Sequence, residues 1–229
     1  MSASTPPEEV MVAVLPPAEV WPQYVDIKQR HLKPSLIKKG RKAFPHITLA
    51  QIKKNTQSMD EICTSLRQHL VELESFSVTL DGLDSFDYAK SSCIYVPVTP
   101  RALPKITAMY KAVKSSGLKV EDSFVPHVGL GNVDKHRLEV SMEEYKTKIH
   151  PASFSVEHAV VLSRGSRGPW CVVASIPLAQ CEAKQSNFKI GQSMDLREIE
   201  RLSKRKKGET GTTAAIEAGG GIAAAVEYE

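Results

Sequence analysis

Two histidines with closely matching neighbours could work together as an acid–base pair. The first lies in FPHITL (residues 44–49) and the second in VPHVGL (residues 125–130). In both, apolar residues alternate with polar or small ones, which is the period of a β-strand with one buried face. His46 and Thr48 would therefore project from one face of a strand, and His127 and Gly129 from one face of another. Two such strands side by side would place both imidazoles in a single site.

The chemistry open to such a pair is the cleavage of a phosphodiester. Histidine has an unperturbed pKa near 6.5, so a neutral and a protonated imidazole can coexist near neutral pH. The neutral ring takes a proton from the attacking water or ribose hydroxyl, and the protonated ring gives one to the departing oxygen. The Thr48 hydroxyl and nearby backbone N–H groups would stabilise the charge on the phosphoryl group. This scheme needs neither a metal nor a cofactor, and the sequence offers no obvious cluster of metal ligands.

The alternative is that both are ordinary strand histidines, hydrogen-bonded within a sheet. That interpretation suits a lone histidine, whereas two in matching contexts favour a functional pair. The remaining five lack such a partner and are predicted to be surface or structural residues: His31, His69, His136, His150 and His158.

Hydrophobic periodicity predicts the elements that carry the two motifs. Strands are expected at about 11–15, 47–52, 76–80, 94–98, 124–130, 154–162 and 170–176. Helices are expected at about 18–32 and 103–116, with two more that begin after Thr56 or Ser58 and after Asp134. Each half of the chain then shows the same order: helix, histidine strand, helix, strand, strand.

The repeat is literal at one place, because SFSV at residues 75–78 returns at residues 153–156, 78 positions later. The two histidines are 81 positions apart, close to the same offset. The matching order of elements predicts two similar lobes, whose facing sheets bring the histidines together.

Composition limits the class of protein. A chain of 229 residues that is 41% hydrophobic can form one sizeable core or two small lobes. No apolar run approaches the roughly 20 residues of a membrane span, and residues 1–9 lack the features of a secretory signal. The four cysteines fit neither a Cys-x-x-Cys metal pair nor a secreted disulfide framework. We therefore expect an intracellular monomer, cytoplasmic or nuclear, that does not act at membranes.

The predicted organisation is a disordered N-terminus at 1–9, a bilobal domain at 10–180, and a mostly disordered tail at 181–229. The tail contains a short possible helix at about 195–204 and a basic cluster at 201–207. That cluster could be a nuclear address or an RNA arm, although a solvated tail is the simpler interpretation. A second basic run, at 28–42, contains seven Lys and Arg and no acidic residue. It is either a solvated helix face and loop or a means of steering a phosphate backbone toward His46.

The two motifs resemble the paired His-x-Thr/Ser signatures of the 2H phosphoesterase (LigT-like, 2′-5′ RNA ligase) superfamily. The resemblance extends over about residues 10–178. It implies an α+β, bilobal, pseudo-symmetric fold in which two sheets rich in antiparallel strands face a central cleft, with helices outside. It also implies a hydrolase of RNA ends or oligonucleotides, such as a phosphodiesterase for 2′,3′-cyclic phosphates or 2′-5′ linkages.

Within this resemblance, His46 and His127 would be the catalytic pair and Thr48 a phosphate ligand. Gly129 occupies the place of the second hydroxyl residue, so one hydrogen bond to the phosphate would be missing. Its loss would cost about one to two decades in rate. Alternatively, the chain is a non-catalytic module that binds nucleotides or RNA.

Further residues could contact the substrate. In the loop before the last strand, Arg164 and Arg167 could clamp phosphates and Trp170 could stack on a base, although a core position suits a tryptophan better. Phe44 and Phe124, which flank the motifs, could also contact a base. Tyr88 and Lys90 are not distinguishable from ordinary loop residues by sequence.

Overall fold

The architecture is that of a mixed α and β protein whose strands form one large and one small sheet. In a computed structural model of the chain, the described residues are 9–31, 44–53, 57–118, 123–165, 168–179, 188–195, 198 and 201. Within these ranges the strands are β1 (Glu9–Val14), β2 (Ile47–Lys53), β3 (Phe76–Leu80), β4 (Asp84–Asp87), β5 (Ser91–Pro97), β6 (His127–Asp134), β7 (Ala152–Val156), β8 (His158–Arg164) and β9 (Cys171–Pro177). The α-helices are α1 (Trp21–His31), α2 (Met59–Leu70), α3 (Leu103–Ser115) and α4 (Leu138–Lys146).

Local signals explain several of these elements. Helix α2 begins at Ser58, whose hydroxyl accepts from the Glu61 N–H while the Glu61 carboxylate accepts from the Ser58 N–H, a complete capping box. Gly117 follows α3 with a φ of +80°, the left-handed conformation that commonly ends a helix. The alternation of buried residues in β3 and β7 agrees with the predicted strands.

Three details of the secondary structure differ from the expectation. Strand β4 was not predicted, because Phe86 alone among its four residues is a large apolar residue. The expected strand at 154–162 is two strands, β7 and β8, which belong to different sheets. A 3-10 turn, Lys135–Arg137, separates Asp134 from α4, and the Asp134 side chain makes no capping bond.

The seven-stranded sheet has the order β4-β5-β6-β2-β1-β8-β9, and its neighbouring strands pair antiparallel. Strands β2 and β6 are joined only by the pair Ile47–Val128. We call this junction the seam. Strands β6, β5 and β4 lie on one side of it and β2, β1 and β8 on the other, with β9 as an additional strand beyond β8. The two facing sheets expected from the sequence are therefore two halves of one sheet that meet at the seam.

A pseudo-two-fold axis relates the two halves. At the seam, Ile47 pairs with Val128, its own counterpart 81 positions later. In the small sheet, Ser77 pairs with Ser155, its counterpart in the repeated SFSV segment. An antiparallel pair between equivalent residues is what a two-fold axis through the pair requires. The repeat seen in the sequence is therefore expressed as symmetric pairing in both sheets.

Two layers of apolar side chains cover the large sheet. One layer lies between the sheet and the helices and includes Val12, Ile47 and Val128. The other covers the opposite face of β1, β8 and β9 and includes Met11, Phe44, Trp170 and Phe188.

Part of the expected tail contributes to this second layer. Phe188 and Met194 are 6% and 3% exposed. The Gly191 N–H donates to the Val172 carbonyl and the Met194 N–H to the Trp170 carbonyl, at 2.8 and 2.7 Å. The basic cluster at 201–207 lies outside the described residues except for Arg201. No helix in the described ranges is both long and apolar enough to cross a membrane.

Candidate active site

The seam brings the two histidine motifs together. Because Ile47 and Val128 are opposite each other in an antiparallel pair, the continued register places Thr48 opposite His127 and His46 opposite Gly129. These four residues share the sheet face away from the buried side chains of Ile47 and Val128. His46 and His127 are then diagonal neighbours, whose Cβ atoms would be roughly 7–8 Å apart in a regular sheet. That spacing leaves room for a phosphate between the rings.

Both imidazoles are held in the same way. The Nδ1 atom of His46 is 2.8 Å from the Phe44 carbonyl oxygen, and that of His127 is 2.7 Å from the Val125 carbonyl oxygen. A carbonyl only accepts, so each Nδ1 carries the hydrogen and donates. Nε2 is therefore the nitrogen that exchanges a proton in both rings. Such a pair can accept a proton at one Nε2 and release one at the other.

The surroundings of the two rings differ. His46 is 8% exposed, and its ring lies 4.8 Å from that of Phe44, which is fully buried. His127 is more exposed and contacts the rings of Phe86 and Tyr95, both at 5.0 Å between centroids. One histidine is thus backed by the core and the other by an aromatic pair.

The aromatic pair around His127 is not indicated by either histidine motif. Phe86 and Tyr95 stack on each other at 4.2 Å, and the Tyr95 hydroxyl donates to Asp84 at 2.9 Å. Burial, followed by that hydrogen bond and the Asp84 charge, raises the pKa of Tyr95 to about 12, so the phenol remains a neutral donor. In the sequence, Tyr95 stands between Ile94 and Val96, which are core residues. This alternation could have predicted that Tyr95 lies on the opposite face of the sheet, the face that carries His127.

A cleft of about 470 Å³ opens beside the seam, between β2 and the segment that precedes β6. It reaches both motifs, through Thr48 and His127, and its lining includes four further aromatic side chains: Phe86, Tyr88, Tyr110 and Phe124. Its size is that of small-molecule sites. Phe124, a predicted base contact, lines this cleft and stacks in parallel on Tyr110 at 4.3 Å.

Gly129 is not forced to be glycine by its surroundings. A Cβ built on it would approach only the His127 Cδ2 atom, at 4.0 Å, and its φ is outside the left-handed range. The space for a hydroxyl side chain is therefore present. Next to it, the Lys28 ammonium donates to the Gly129 carbonyl oxygen at 2.6 Å.

Two of the seven Lys and Arg in the basic run at 28–42, Lys28 and Arg30, are described by the structure, and both contact other parts of the protein. Lys28 is only 6% exposed. Arg30 pairs with Asp26 and Glu144, at 3.0 Å each. The other basic residues of the run lie outside the described residues.

Three of the predicted substrate contacts do not reach the site. Arg164 makes a two-pronged ion pair with Glu9, with N···O distances of 2.8–3.0 Å. Glu9 pairs with Arg164 at the far end of β1 from Val14, which is opposite Ile47. Five residues of strand separate those ends, or about 17 Å. Phe44 and Trp170 are fully buried in the second apolar layer, so neither is available to a base. Arg167 lies outside the described residues.

Within the described ranges, no three His, Cys, Asp or Glu side chains are grouped so that they could hold a metal ion.

Comparison with known proteins gives a match to one family and to several solved structures. The profile of the 2′-5′ RNA ligase superfamily matches residues 16–168, about two thirds of the chain. Apo LigT from E. coli has 20% identity and a TM-score of 0.51, and the match covers 77% of this chain and 100% of LigT. TT0787 from Thermus thermophilus has 14% identity and a TM-score of 0.51, covering 76% of this chain and 100% of TT0787. At these identities the likeness shows the fold. Among curated proteins, no sequence matches the chain.

Proposed function

Because the chain belongs to the 2′-5′ RNA ligase superfamily, the LigT-like 2H phosphoesterases, we propose that it is a phosphodiesterase that acts on RNA ends or oligonucleotides. Its substrates would contain a 2′,3′-cyclic phosphate or a 2′-5′ linkage. The proposed reaction uses His46 and His127 as general acid and base, and the two histidines themselves require no metal for it.

The observation that carries this proposal is that the two imidazoles are oriented by equivalent hydrogen bonds. Each donates from Nδ1 to the carbonyl two residues earlier, across a proline. The rings therefore present Nε2 in the same tautomer from the two sides of the seam. In hydrolysis of a cyclic phosphate, one Nε2 takes a proton from water as its oxygen attacks phosphorus. The other gives its proton to the ribose oxygen as the P–O bond breaks. The side of the phosphate on which that oxygen leaves decides which histidine is the acid.

The cleft supports a nucleotide as the substrate. The aromatic residues that line the cleft include His127, which lies at the seam. A base stacked in the cleft would therefore place the phosphate of the same nucleotide near the seam. E. coli LigT, which shares the fold, has been solved with 3′-AMP and with phosphate. Thr48 lines the same cleft and would donate its hydroxyl to a phosphate oxygen.

The test is to replace His46 and His127 singly by alanine and to measure hydrolysis of 2′,3′-cyclic AMP and 2′-5′-linked ApA in the presence of EDTA. General acid–base catalysis contributes roughly 10²- to 10⁴-fold, so each substitution should reduce kcat by that factor. His136→Ala, at an exposed position, is the matched control and should retain wild-type rates. The wild-type rate should show a bell-shaped dependence on pH.

Gly129 favours a second candidate, a nucleotide-binding module without turnover. This alternative predicts that wild type binds 3′-AMP but that no product forms from either substrate. If wild type and both histidine variants are equally inactive on every RNA end, the proposed phosphodiesterase activity is refuted. Product formation by wild type would exclude the binding-only module.

A further inference from the structure

A buried positive charge lies next to the seam and has no role in the proton transfers proposed for the histidines. Lys28 is on α1, whose neighbouring residues Tyr24 and Ile27 belong to the main core. Its side chain is 6% exposed. A buried ammonium is costly unless it is hydrogen-bonded or lies near negative charge. The bond to the Gly129 carbonyl satisfies one N–H donor, and a bound phosphate would add a negative charge that favours the buried ammonium.

The position of this ammonium relative to Gly129 is well defined. Its Nζ atom is 2.6 Å from the Gly129 carbonyl oxygen. A residue's Cβ and its own carbonyl oxygen are roughly 3 Å apart, so Nζ lies within about 6 Å of the point where a side chain would begin. It also lies beyond 4 Å, because among the described atoms only His127 Cδ2 comes that close to the point. The ammonium is therefore about 4–6 Å from the Cβ position of a side chain at residue 129.

Its effect on a neighbour indicates which strands the charge lies near. Burial raises the pKa of the Cys93 thiol, and the Lys28 charge opposes that rise. Cys93 is half-buried on β5, two residues before Tyr95, whose ring contacts His127. The ammonium therefore acts on the same region of β5 and β6 that carries the second histidine.

We propose that the Lys28 ammonium is the phosphate-binding group of the second half of the site, in place of the hydroxyl that Gly129 lacks. This inference rests on the proposed phosphodiesterase function. The two halves of the pseudo-symmetric site would then hold the phosphate by different means, with the Thr48 hydroxyl on one side and a positive charge on the other. An ammonium has three N–H donors and can bond to a carbonyl and to a phosphate oxygen at the same time. Its hydrogen bond to an anion is stronger than that of a neutral hydroxyl.

A purely structural role would be different. In that case Lys28 would only satisfy the Gly129 carbonyl where β6 diverges from β2, and its removal would lower stability without a specific effect on phosphate. Lys28→Met removes the charge and all donors, whereas Lys28→Gln removes the charge and keeps a donor. Lys28→Arg keeps the charge. Lys105→Met, at an exposed position on α3, is the control for loss of one positive charge.

The experiment measures kcat/KM for 2′,3′-cyclic AMP, the affinity for inorganic phosphate, and Tm for each variant. Loss of a hydrogen bond to a charged group corresponds to roughly a 10- to 100-fold effect. Lys28→Met and Lys28→Gln should therefore lose about that factor in both kcat/KM and phosphate affinity. Lys28→Arg should retain more of both than the neutral variants, and Lys105→Met should match wild type.

Restoring the hydroxyl gives the decisive arm. Gly129→Thr should recover about tenfold or more in kcat/KM when it is added to Lys28→Met, and less when it is added to wild type, because the two groups serve one phosphate. No recovery in the double variant, or a loss of Tm without a loss of phosphate affinity, would overturn the proposal. Failure of both neutral variants to fold would assign the ammonium to stabilising the seam and would also overturn it.

This design separates the two proposals. If wild type does not turn over any RNA end, the proposed phosphodiesterase activity is refuted. Titration of wild type and Lys28→Met with phosphate still tests whether the Lys28 ammonium binds phosphate. If wild type is active and the neutral Lys28 variants equal it, only the role of Lys28 fails.

Discussion

The aromatic cleft predicts that Tyr88 contributes to nucleotide binding but not to the chemical step. Tyr88 lines the cleft and is 52% exposed. Its backbone N–H donates to the Ser91 carbonyl at 2.9 Å, which holds the turn between β4 and β5 independently of the ring. Tyr88→Ala should therefore remove a stacking surface and leave the fold intact.

The expected magnitude follows from the stacking of one base on one aromatic ring. Such stacking contributes about 1–3 kcal/mol, and a decade in equilibrium corresponds to about 1.4 kcal/mol. KM for 2′,3′-cyclic AMP should rise about 5- to 150-fold, whereas kcat should change by less than about threefold. The substitution does not alter the hydrogen bonds that orient the two imidazoles, because these bonds go to the carbonyl oxygens of Phe44 and Val125.

The assay compares 2′,3′-cyclic AMP with bis(4-nitrophenyl) phosphate, a diester without a nucleobase. Val140→Ala removes an exposed apolar side chain from α4, where Val140 is 67% exposed, and is the control. The rise in KM should be confined to the nucleotide. An unchanged KM for the nucleotide, or an equal rise for both diesters, would refute the assignment of the cleft to a base.

Two further predictions concern residues outside the reacting groups. Arg164→Met removes a partly buried ion pair with Glu9, so it should lower the free energy of unfolding by about 1–3 kcal/mol in urea titrations. Its kcat/KM should stay within about twofold of wild type, and a loss of tenfold or more would return Arg164 to the site. Because burial and the bond to Asp84 raise the pKa of Tyr95 to about 12, the unfolded state loses the phenolic proton first as pH rises. The protonated Tyr95 phenol therefore stabilises the folded state fully below about pH 10, and this contribution should be lost between about pH 10 and 12. In urea unfolding at pH 9, 10 and 11, the midpoint should fall less steeply with pH for Tyr95→Phe than for wild type. An equal fall in both proteins would contradict the raised pKa of Tyr95.

Several features of the fold could be read from the sequence because they depend on near neighbours. The alternation of Phe76, Val78 and Leu80 predicted β3, and Ser58, one of the two candidates for the start of α2, is its N-cap. Strand β4 could not be predicted in this way, because its polar residues are stabilised by pairing with β5 rather than by an apolar face of their own. The division of 154–162 into two strands depends on the sheet that each strand joins, and no local pattern records that choice.

The candidate site divides in the same manner. The motifs identified His46 and His127 and placed Thr48 on the face of His46. Proximity in sequence was a poorer guide to the remaining contacts, because it does not specify what surrounds a side chain. Phe44 is next to its motif yet buried, and Arg164 faces Glu9. Phe86 and Tyr95, far from His127 in sequence, are in contact with it.

The orientation of each histidine strand and the internal repeat were already specified by the amino-acid order. Strand periodicity and the repeated SFSV segment are local properties, and they follow from which side chains must be buried along one stretch of chain. The folded domain was needed to show that Ile47 pairs with Val128, that Lys28 lies at Gly129 and that Phe86 and Tyr95 surround His127. These contacts join residues between about 30 and 100 positions apart. They result from how sheets and helices pack over the whole domain, which fixes the neighbours of a side chain once its orientation is known.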